Sequence, residues 1–387
     1  MYRLFFLYLC LMTGLYIHIP FCRRKCHYCN FYSLASVKYF DDLISALTKE
    51  IEFRKDEVLT PLETIYFGGG TPSMLGHRHL EMLMETIYKN YSITKNPEIT
   101  LEANPEDISK QQLQNFKKNR INRLSIGIQS FFDNELKYLN RIHSAQKAIE
   151  SVKLSQDEGF DNISIDLIFG LPNATSDSWS KNLEQAFQLR VPHLSCYALT
   201  VEPGTALARF IEKGQMKNVS DELFEEQFEI LLNKTTELGY QQYEISNFCL
   251  NNHYAIHNTN YWFGKPYLGV GPSAHSYDGR KRKWNVSHLK KYIDGITHGE
   301  VPLESEILTP EQKFNEFIMT RLRTRWGISL PELEKLFGEK LLTHFTGKIK
   351  KYLNSGHLQK TSGRITLTRT GKFVSDGIIA ELFYDES

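Results

Sequence analysis

The chain has 387 residues, enough for two or three domains or for one barrel with an appendage. Hydrophobic residues make up 41% and charged residues 24%, which is ordinary for a soluble globular protein. The formal net charge of +1 creates no global basic field that would recruit nucleic acid, and the basic run at residues 280–283 is typical of a solvated turn. Six cysteines, three of them clustered, do not form a disulfide framework in a chain of this size and indicate a reducing cytosol.

Residues 1–13 are interpreted as an N-terminal tail or a start-site artefact. Their apolar stretch of about nine residues is too short to span a bilayer, which takes about 20, and no small-residue cleavage site follows it. Met12 would also make a natural start. Because one short apolar segment anchors a protein only marginally, we expect at most peripheral membrane contact.

A cysteine-rich loop follows the first predicted strand, at residues 15–19. Cys22, Cys26 and Cys29 have the spacing C-x3-C-x2-C, so three thiolates within eight residues can face one metal centre. Four ligands complete a structural zinc site, whereas three leave one iron of a [4Fe–4S] cluster open to an exogenous ligand. Two alternatives stay open from the spacing alone: reduced surface cysteines, and a zinc site completed by His18 or His27.

Six segments that favour strands alternate with segments that favour helices. The strands are predicted at 15–19, 64–73, 98–105, 122–130, 161–172 and 193–203. The helices are predicted at 37–57, 76–91, 106–119, 132–139, 144–158, 176–189 and 221–238. This alternation is typical of parallel β/α units. Since a closed TIM barrel needs eight units, we predict an α/β fold with a partial, TIM-like (β/α)6 barrel at 14–240.

Polar residues and glycines end every predicted strand. Functional groups gather at the carboxyl ends of strands in such sheets. These ends carry the cysteine loop, the glycines at 68–70 with Thr71, then Glu102, Gln129, Asp166 and Thr200. The glycines would let backbone approach a small ligand, the polar side chains suit an ammonium group or ribose hydroxyls, and Arg141 suits a carboxylate. Each residue taken alone is equally consistent with a tight turn, a solvated strand end or a surface ion pair.

Taken together, these motifs resemble those of the anaerobic coproporphyrinogen III oxidase family of radical S-adenosylmethionine (SAM) proteins. The resemblance runs from about Gly14 onwards, through YIHIPFC, CxxxCxxC, FGGGTPS, LEANP, SIGIQSF, DLIFGLP and YxLTVEPGT. It implies [4Fe–4S] cluster ligands at Cys22, Cys26 and Cys29. It implies cofactor contacts, mainly to SAM, at Tyr16, Tyr28, Gly69, Gly70, Thr71, Glu102, Gln129, Arg141 and Asp166.

Two departures separate this chain from the oxidase pattern. The oxidase carries a further cysteine two residues after the third cluster ligand, where this chain has Asn30 and Phe31. The oxidase also has a long extension before its first strand, and this chain has almost none. Both departures point to a sister group of haem chaperones, as do the segments HNxxYW at 257–262, QQYEISNF at 241–248 and YLGVGPSAHS at 267–276.

The HNxxYW segment is interpreted as a haem contact. Imidazole is the commonest axial ligand of haem iron, and Tyr261 and Trp262 offer flat apolar surface to a porphyrin. A random segment of this kind is more often a core histidine packed among aromatic rings, and the resemblance reverses that preference in favour of His257. His275 and Cys249 are weaker ligand candidates.

From about Thr309 the pattern becomes mainly helical. Helices are predicted at 309–325, 329–337 and 340–355, then two short strands around Ser362 and a final helix to about 384. This order predicts a winged-helix-like domain at 309–387, with 241–308 as a connecting region. The helices show no concentrated basic stripe of the kind that binds DNA, and the resemblance implies that the domain covers the barrel.

The leading interpretation is a cytoplasmic protein that binds haem and transfers it to apo-haemoproteins, on a radical SAM scaffold with a [4Fe–4S] cluster and SAM. A homodimer is one candidate assembly, and no nucleic acid is expected. The alternative is the oxygen-independent coproporphyrinogen III oxidase itself, in which a radical derived from SAM abstracts hydrogen from each propionate. A radical SAM enzyme that modifies RNA is a third reading, disfavoured by the near-neutral charge.

Overall fold

Six parallel strands form the centre of the molecule. The structure is a computed structural model and describes residues 13–218 and 220–385. Adjacent in the sheet and in chain order are β1 (Gly14–Ile19), β2 (Leu62–Gly69), β3 (Ile93–Ala103), β4 (Arg123–Gln129), β5 (Asn162–Phe169) and β6 (His193–Ala198). The connecting helices are α1 (Phe40–Phe53), α2 (His77–Asn90), α3 (Lys110–Lys118), α4 (Asp133–Tyr138), α5 (Ala145–Asp157) and α6 (Ser176–Gln188). The predicted partial (β/α)6 barrel is confirmed.

The residues of each parallel strand alternate between two environments. Leu15 and Ile17 of β1, like Ile163 and Ile165 of β5, lie in the main hydrophobic core beneath the helices. Their neighbours in the strands contact one another on the other face, as Ser164 does with residues of β6. Buried parallel strands are usually apolar on both sides, so this polar inner face sets the sheet apart.

The predicted helices differ from the observed ones mainly where short 3₁₀ turns begin or end them. The helix predicted at 37–57 is α1 followed by the turn Lys55–Glu57, and the one predicted at 106–119 is the turn Pro105–Asp107 followed by α3. The stretch after β6 was expected to be a loop but contains α7 (Ala206–Glu212), whose first turn is capped by the Thr205 hydroxyl. The next helix is α8 (Asp221–Glu237).

Residues 241–308 extend the same sheet at both edges. Beside β6 lie β8 (Asn247–Cys249) and β7 (Gln241–Gln242), both in antiparallel pairs. Beside β1 lie β9 (Tyr267–Val270), parallel to it, then β10 (His275–Tyr277), β11 (Lys281–Asn285) and β12 (Leu303–Ile307) in antiparallel order. Two helices, α9 (Ile256–Trp262) and α10 (Leu289–Thr297), complete the segment. Its strands, of two to five residues each, are too short to show a clear period of two.

A buried carboxylate, Glu50 of α1, joins the parallel strands to this extension. It accepts hydrogen bonds from Arg54 Nη1 at 2.9 Å, Asn285 Nδ2 at 2.7 Å, the Tyr292 hydroxyl at 2.5 Å and the Gly271 amide at 2.8 Å. Arg54 in turn donates to the Gly269 carbonyl of β9 at 2.8 Å and to the Ser276 hydroxyl of β10 at 3.1 Å. One ion pair therefore fixes α1, α10 and three strands.

The C-terminal segment is a mainly helical, winged-helix-like domain, as predicted. It contains α11 (Pro310–Leu322), β13 (Ile328–Ser329), α12 (Leu330–Asn354), β14 (Leu358–Thr361), β15 (Arg364–Leu367), α13 (Arg369–Phe373) and α14 (Ser375–Leu382). Gly338 breaks α12 with a φ of 80°, which accounts for the two helices expected there. Phe314, Phe345 and Ile365 lie in a separate hydrophobic core.

Within the part of the chain that the structure describes, no helix is both long and apolar enough to cross a membrane. The interpretation of residues 1–13 falls almost wholly outside the described range, which begins at Thr13.

Replacing Glu50 with alanine should destabilise the protein by about 3–5 kcal/mol, because it leaves the Arg54 guanidinium buried without its main partner. The free energy of unfolding from urea titration measures this loss. The matched control is Glu52→Ala on the same helix, which removes only a surface ion pair with Lys89 and should cost less than about 1 kcal/mol. Equal effects of the two substitutions would contradict a central role for Glu50.

Candidate functional site

The three clustered cysteines lie in a closed loop after β1. The loop is closed by two backbone hydrogen bonds, from the Cys22 amide to the Leu34 carbonyl at 3.0 Å and from the Leu34 amide to the Pro20 carbonyl at 2.6 Å. All three thiols are half-buried. Burial raises the pKa of Cys29, and its neighbours Cys26 and Cys22 raise it further, so the three sulfur atoms interact.

The two histidines nearest the cysteines are engaged elsewhere. His18 is hydrogen-bonded through Nδ1 to the Tyr16 hydroxyl and through Nε2 to the Tyr32 carbonyl, both at 3.0 Å. His27 Nδ1 is hydrogen-bonded to the Tyr138 carbonyl at 2.9 Å. Over residues 13–218 and 220–385, no three His, Cys, Asp or Glu side chains are placed to hold one metal ion. An iron–sulfur cluster needs a wider separation of the cysteine sulfur atoms than a single metal ion does, because each cysteine binds a different iron atom.

A glycine turn after β2 packs against the cysteine loop. The Gly70 amide donates to the Ile19 carbonyl at 2.8 Å. A Cβ on Gly70 would lie 2.6 Å from the Phe21 carbonyl oxygen and 3.0 Å from Cys22 Sγ, so only glycine fits. Gly69 has a φ of 112° and would clash with the His18 ring. The next residue, Thr71, is buried beside Cys22. Burial raises the pKa of the Cys22 thiol, and a hydrogen bond with the Thr71 side chain lowers it.

Two carboxyl groups face each other across the inner face of the sheet. Glu102, at the end of β3, accepts hydrogen bonds from the Tyr66 hydroxyl at 2.8 Å and from the Gly69 amide at 3.2 Å. Burial raises the pKa of Glu102 to about 7, with a further contribution from the negative charge of Asp166. Burial likewise raises the pKa of Asp166 to about 6, against a hydrogen bond from Ser195 that lowers it. Both groups are poised to accept a cation or hydroxyl donor.

Arg141 connects the cysteine loop to the ends of β3 and β4. Its guanidinium donates to Cys26 Sγ at 3.4 Å, to Asn104 Oδ1 at 2.7 Å and to the Gly127 carbonyl at 2.8 Å. Its Nε is buried with no hydrogen-bond partner among the described residues, which suits an anionic group beside it. Gln129 lies next to Arg141 and has a positive φ of 67°. Both side chains pass close to Gly127, where a Cβ would lie 2.9 Å from the Gln129 amide nitrogen.

The cation hydrogen-bonded to a cysteine sulfur is Arg141, whereas Lys25 within the loop acts on Cys29 through its charge, which lowers the thiol pKa. Arg23, Arg24 and Lys25 are exposed, and Arg23 pairs with Asp107 at 2.7 Å instead. Arg141 could not be assigned to the cysteines from spacing alone, because 112 residues separate it from Cys29, counted as 141 minus 29.

Two tyrosines among the predicted site residues have contrasting surroundings. Tyr16 lies on the inner face, where its ring stacks on that of Tyr66 with centroids 6.0 Å apart. Tyr28 packs against a small apolar cluster that contains Leu139 and Ile168, and it interacts with Arg141 and Cys26. Burial raises the pKa of both tyrosines, so both hydroxyls remain protonated.

The structure thus brings all of the predicted cluster and SAM residues together at the carboxyl ends of the strands. Three further residues belong to the same constellation: Tyr66, Asn104 and Ser195. Tyr66 and Ser195 were detectable from the alternation of polar and apolar residues along β2 and β6. Asn104 follows Glu102 by two residues, in the LEANP motif.

Family models match two parts of the chain. The Radical SAM superfamily model matches residues 16–186, and the HemN C-terminal domain model matches residues 308–374. The heme chaperone HemW of Bacillus subtilis is 34% identical over 376 residues, which cover 95% of this chain and 98% of that protein. The chain belongs to the HemW family.

Other members and relatives agree with this assignment. Heme chaperone HemW of Mycobacterium tuberculosis is 31% identical, covering 95% of this chain and 94% of that protein. Radical S-adenosyl methionine domain-containing protein 1, mitochondrial, of Danio rerio is 36% identical, covering 84% of this chain and 78% of that protein. Coproporphyrinogen III oxidase (HemN) from Escherichia coli has a TM-score of 0.85 at 21% identity, covering 97% of this chain and 91% of that chain. The last likeness establishes a fold shared with the HemW family and nothing about activity.

The HNxxYW segment adjoins the inner face of the sheet towards the amino ends of the parallel strands, where the His257 ring stacks on Tyr66 with centroids 5.0 Å apart and on Tyr16 at 6.5 Å. His257, in α9, is 2% exposed. Its Nδ1 is hydrogen-bonded to the Thr64 hydroxyl and its Nε2 to the Tyr261 hydroxyl, both at 2.7 Å. Glu98 accepts hydrogen bonds from the backbone amides of Ile256 and His257, both at 2.9 Å. Burial lowers the pKa of His257 to about 3, so the ring is neutral.

This placement bears directly on the haem interpretation of the motif in this HemW-family chain. Both imidazole nitrogens have partners, so iron could bind His257 only if the ring gave up one hydrogen bond. Of the two weaker candidates, Cys249 is buried with its pKa raised to about 11, whereas His275 is exposed.

The stability of the protein should depend on pH through Glu102 and Asp166. Their pKa values are higher in the folded chain than the ordinary 4.5 and 3.8, so the folded state binds more protons than the unfolded state between those values and about 7. The free energy of unfolding therefore falls as the pH rises from about 4 to 7. Glu102→Gln should flatten this fall in urea titrations across the interval. An unchanged slope would mean that Glu102 is ionised throughout.

Proposed function

We propose that this protein is a haem chaperone, which binds haem and passes it to apo-haemoproteins, built on a radical SAM scaffold that holds a [4Fe–4S] cluster and SAM. The observation that carries the proposal is the similarity of nearly the whole chain to heme chaperone HemW of Bacillus subtilis. The constellation at the strand ends supports the cofactors, because its donors suit both of them.

The cysteine loop is the proposed cluster site. Cys22, Cys26 and Cys29 would each bind one iron. The Arg141 guanidinium, 3.4 Å from Cys26 Sγ, would offset their negative charge. When bound, a cluster with one open iron supplies an electron and a coordination site for the amino and carboxylate groups of SAM.

The remaining residues are proposed to bind SAM. Gly69, Gly70 and Thr71 would leave room for its methionine end beside the cysteine loop. Glu102 and Asp166 would accept hydrogen bonds from the ammonium group or from ribose hydroxyls, and binding a cation would favour their ionised forms. Gln129 and Tyr16 would complete the walls.

Coproporphyrinogen III oxidase activity is the alternative, and the cysteine loop argues against it. The oxidase pattern has a cysteine two residues after the third cluster ligand, and here that position is Phe31, with 65% of its side chain exposed. A phenyl ring has no lone pair to offer a metal or a radical intermediate. The proposed chaperone function does not require a metal ligand or a radical-bearing side chain at this position.

The proposed partners are haem itself and the apo-haemoproteins that receive it, with a homodimer as the candidate assembly. The proposed location is a reducing, cytoplasmic compartment, because free thiols and an oxygen-sensitive cluster persist there. Both proposals can be examined by fractionation and by sedimentation of the reconstituted protein.

Replacing Gly70 with alanine should lower the iron and sulfide content of the reconstituted protein several-fold, because the new Cβ displaces the cysteine loop. The matched control is Gly76→Ala, where the nearest atom to the new Cβ is His79 Nδ1 at 3.9 Å and φ is −69°. The control should bind a full cluster. A full cluster in Gly70→Ala would argue against a cluster beside the glycine turn.

The proposed function is tested by anaerobic purification, cluster reconstitution and titration with haem, read by absorbance. A stoichiometric Soret change is expected. With SAM and a reductant present, coproporphyrinogen III should remain unconsumed. Consumption of the porphyrinogen with formation of 5′-deoxyadenosine would establish the oxidase instead, and a haem titration with no Soret change would reject the chaperone.

A further inference from the structure

We propose that haem iron binds the exposed imidazole of His275, with the indole of Trp284 beside it supporting the porphyrin. The inference rests on the proposed function, because it names the residue that would bind the same haem. It depends on four features of the sheet extension: where His275 lies, which face it shares, the state of its ring and the charge around it.

His275 lies at the same edge of the sheet as the cysteine loop. Strand β9 is parallel to β1, and β10 runs back antiparallel to β9, so the first residue of β10 is near the carboxyl ends of the parallel strands. His18, which packs on the glycine turn, is close enough for the charge of His275 to lower its pKa further. The imidazole is therefore near the proposed SAM site, but on the extension.

The side chain of His275 shares its face of the sheet with an aromatic ring. Trp284 lies directly opposite His275 in the register of β10 and β11, and the two rings stack with centroids 6.1 Å apart at 29°. Ser276, the next residue, faces the other side, where its hydroxyl accepts a hydrogen bond from Arg54. The pair formed by His275 and Trp284 is thus turned away from α1 and the core.

The ring of His275 is free to bind a metal. His275 is exposed, and within residues 13–218 and 220–385 neither of its ring nitrogens has a hydrogen-bond partner. Burial of part of the ring and the nearby Arg282 lower its pKa, so the imidazole is neutral at neutral pH and keeps a lone pair for iron. His257 differs on each point, since it is buried and both of its nitrogens are bonded.

The surrounding charge suits the propionates of haem. Arg282 lies two residues before Trp284 in β11 and leaves the same face, where its guanidinium pairs with Glu306 and Glu316. At the hairpin between β10 and β11, Arg280 is exposed and forms no ion pair with another described residue. Arg280, which has no part in the cluster and SAM site, would attract a propionate of the bound haem.

The test is a haem titration of the cluster-reconstituted protein, read by Soret position and by affinity. His275→Ala should weaken haem binding at least tenfold and shift the Soret band, because it removes the axial ligand. Trp284→Ala should weaken binding several-fold and leave the band in place, because it removes only a packing surface. His253→Ala, at another exposed histidine, is the matched control and should behave as wild type.

His257→Ala separates the two histidines. It should lower the free energy of unfolding, because it empties a buried site with two hydrogen bonds, yet keep the wild-type Soret position in protein shown to be folded by circular dichroism. If His257→Ala abolishes the Soret change while His275→Ala leaves it intact, the inference is overturned and the proposed function stands. If wild-type protein shows no Soret change, the proposed function and the inference both fail.

Discussion

The ion pair between Glu50 and Arg54 is the constraint on which the two halves of the sheet depend. A buried carboxylate is tolerated only when every oxygen has a partner, and Glu50 has donors from its own helix, from α10 and from the extension of the sheet. Arg54 reaches β9 and β10 from the same place. Because charged hydrogen bonds tolerate little change in distance or angle, this pair fixes the register of the extension against β1. The position of His275 relative to the cysteine loop follows from that register.

The inner face of the barrel carries an excess of acid. Glu98, Glu102 and Asp166 line it, and the cations that face them are the buried Arg123 of β4 and, at the strand ends, Arg141. Burial in a region with little water disfavours the ionised forms, which is why the pKa values of Glu102 and Asp166 are raised, and for Glu102 the charge of Asp166 adds to this effect. A cationic ligand would favour the ionised forms instead. In an ordinary parallel sheet, burying these polar side chains without partners would destabilise the fold. Here they line a binding cavity instead of a hydrophobic core.

The sequence was sufficient for the residues whose signal is local. The strands and their polar ends could be predicted because each strand is a short apolar run followed by polar residues or glycines. Glu102 and Asp166 were therefore placed correctly at one edge of the sheet. The contact between Arg141 and Cys26 could not be predicted, since the fold alone brings the two residues together. The setting of His257 was equally hidden, because its partner Thr64 lies 193 residues away. The strands β9 to β12 were not predicted, because each has only three to five residues, too few to show a clear period of two.

Glu98 has a consequence for how sequences of this kind can diverge. Its two carboxylate oxygens cap the first turn of α9 through the amides of Ile256 and His257, and the same group lies 4.0 Å from the Arg123 guanidinium. The amides are present whatever the side chains at 256 and 257, so the coupled pair is Glu98 and Arg123, and the effects of substituting these two residues are not additive. Exchange of Glu98 and Arg123 is therefore expected to be epistatic, with each substitution changing the cost of the other.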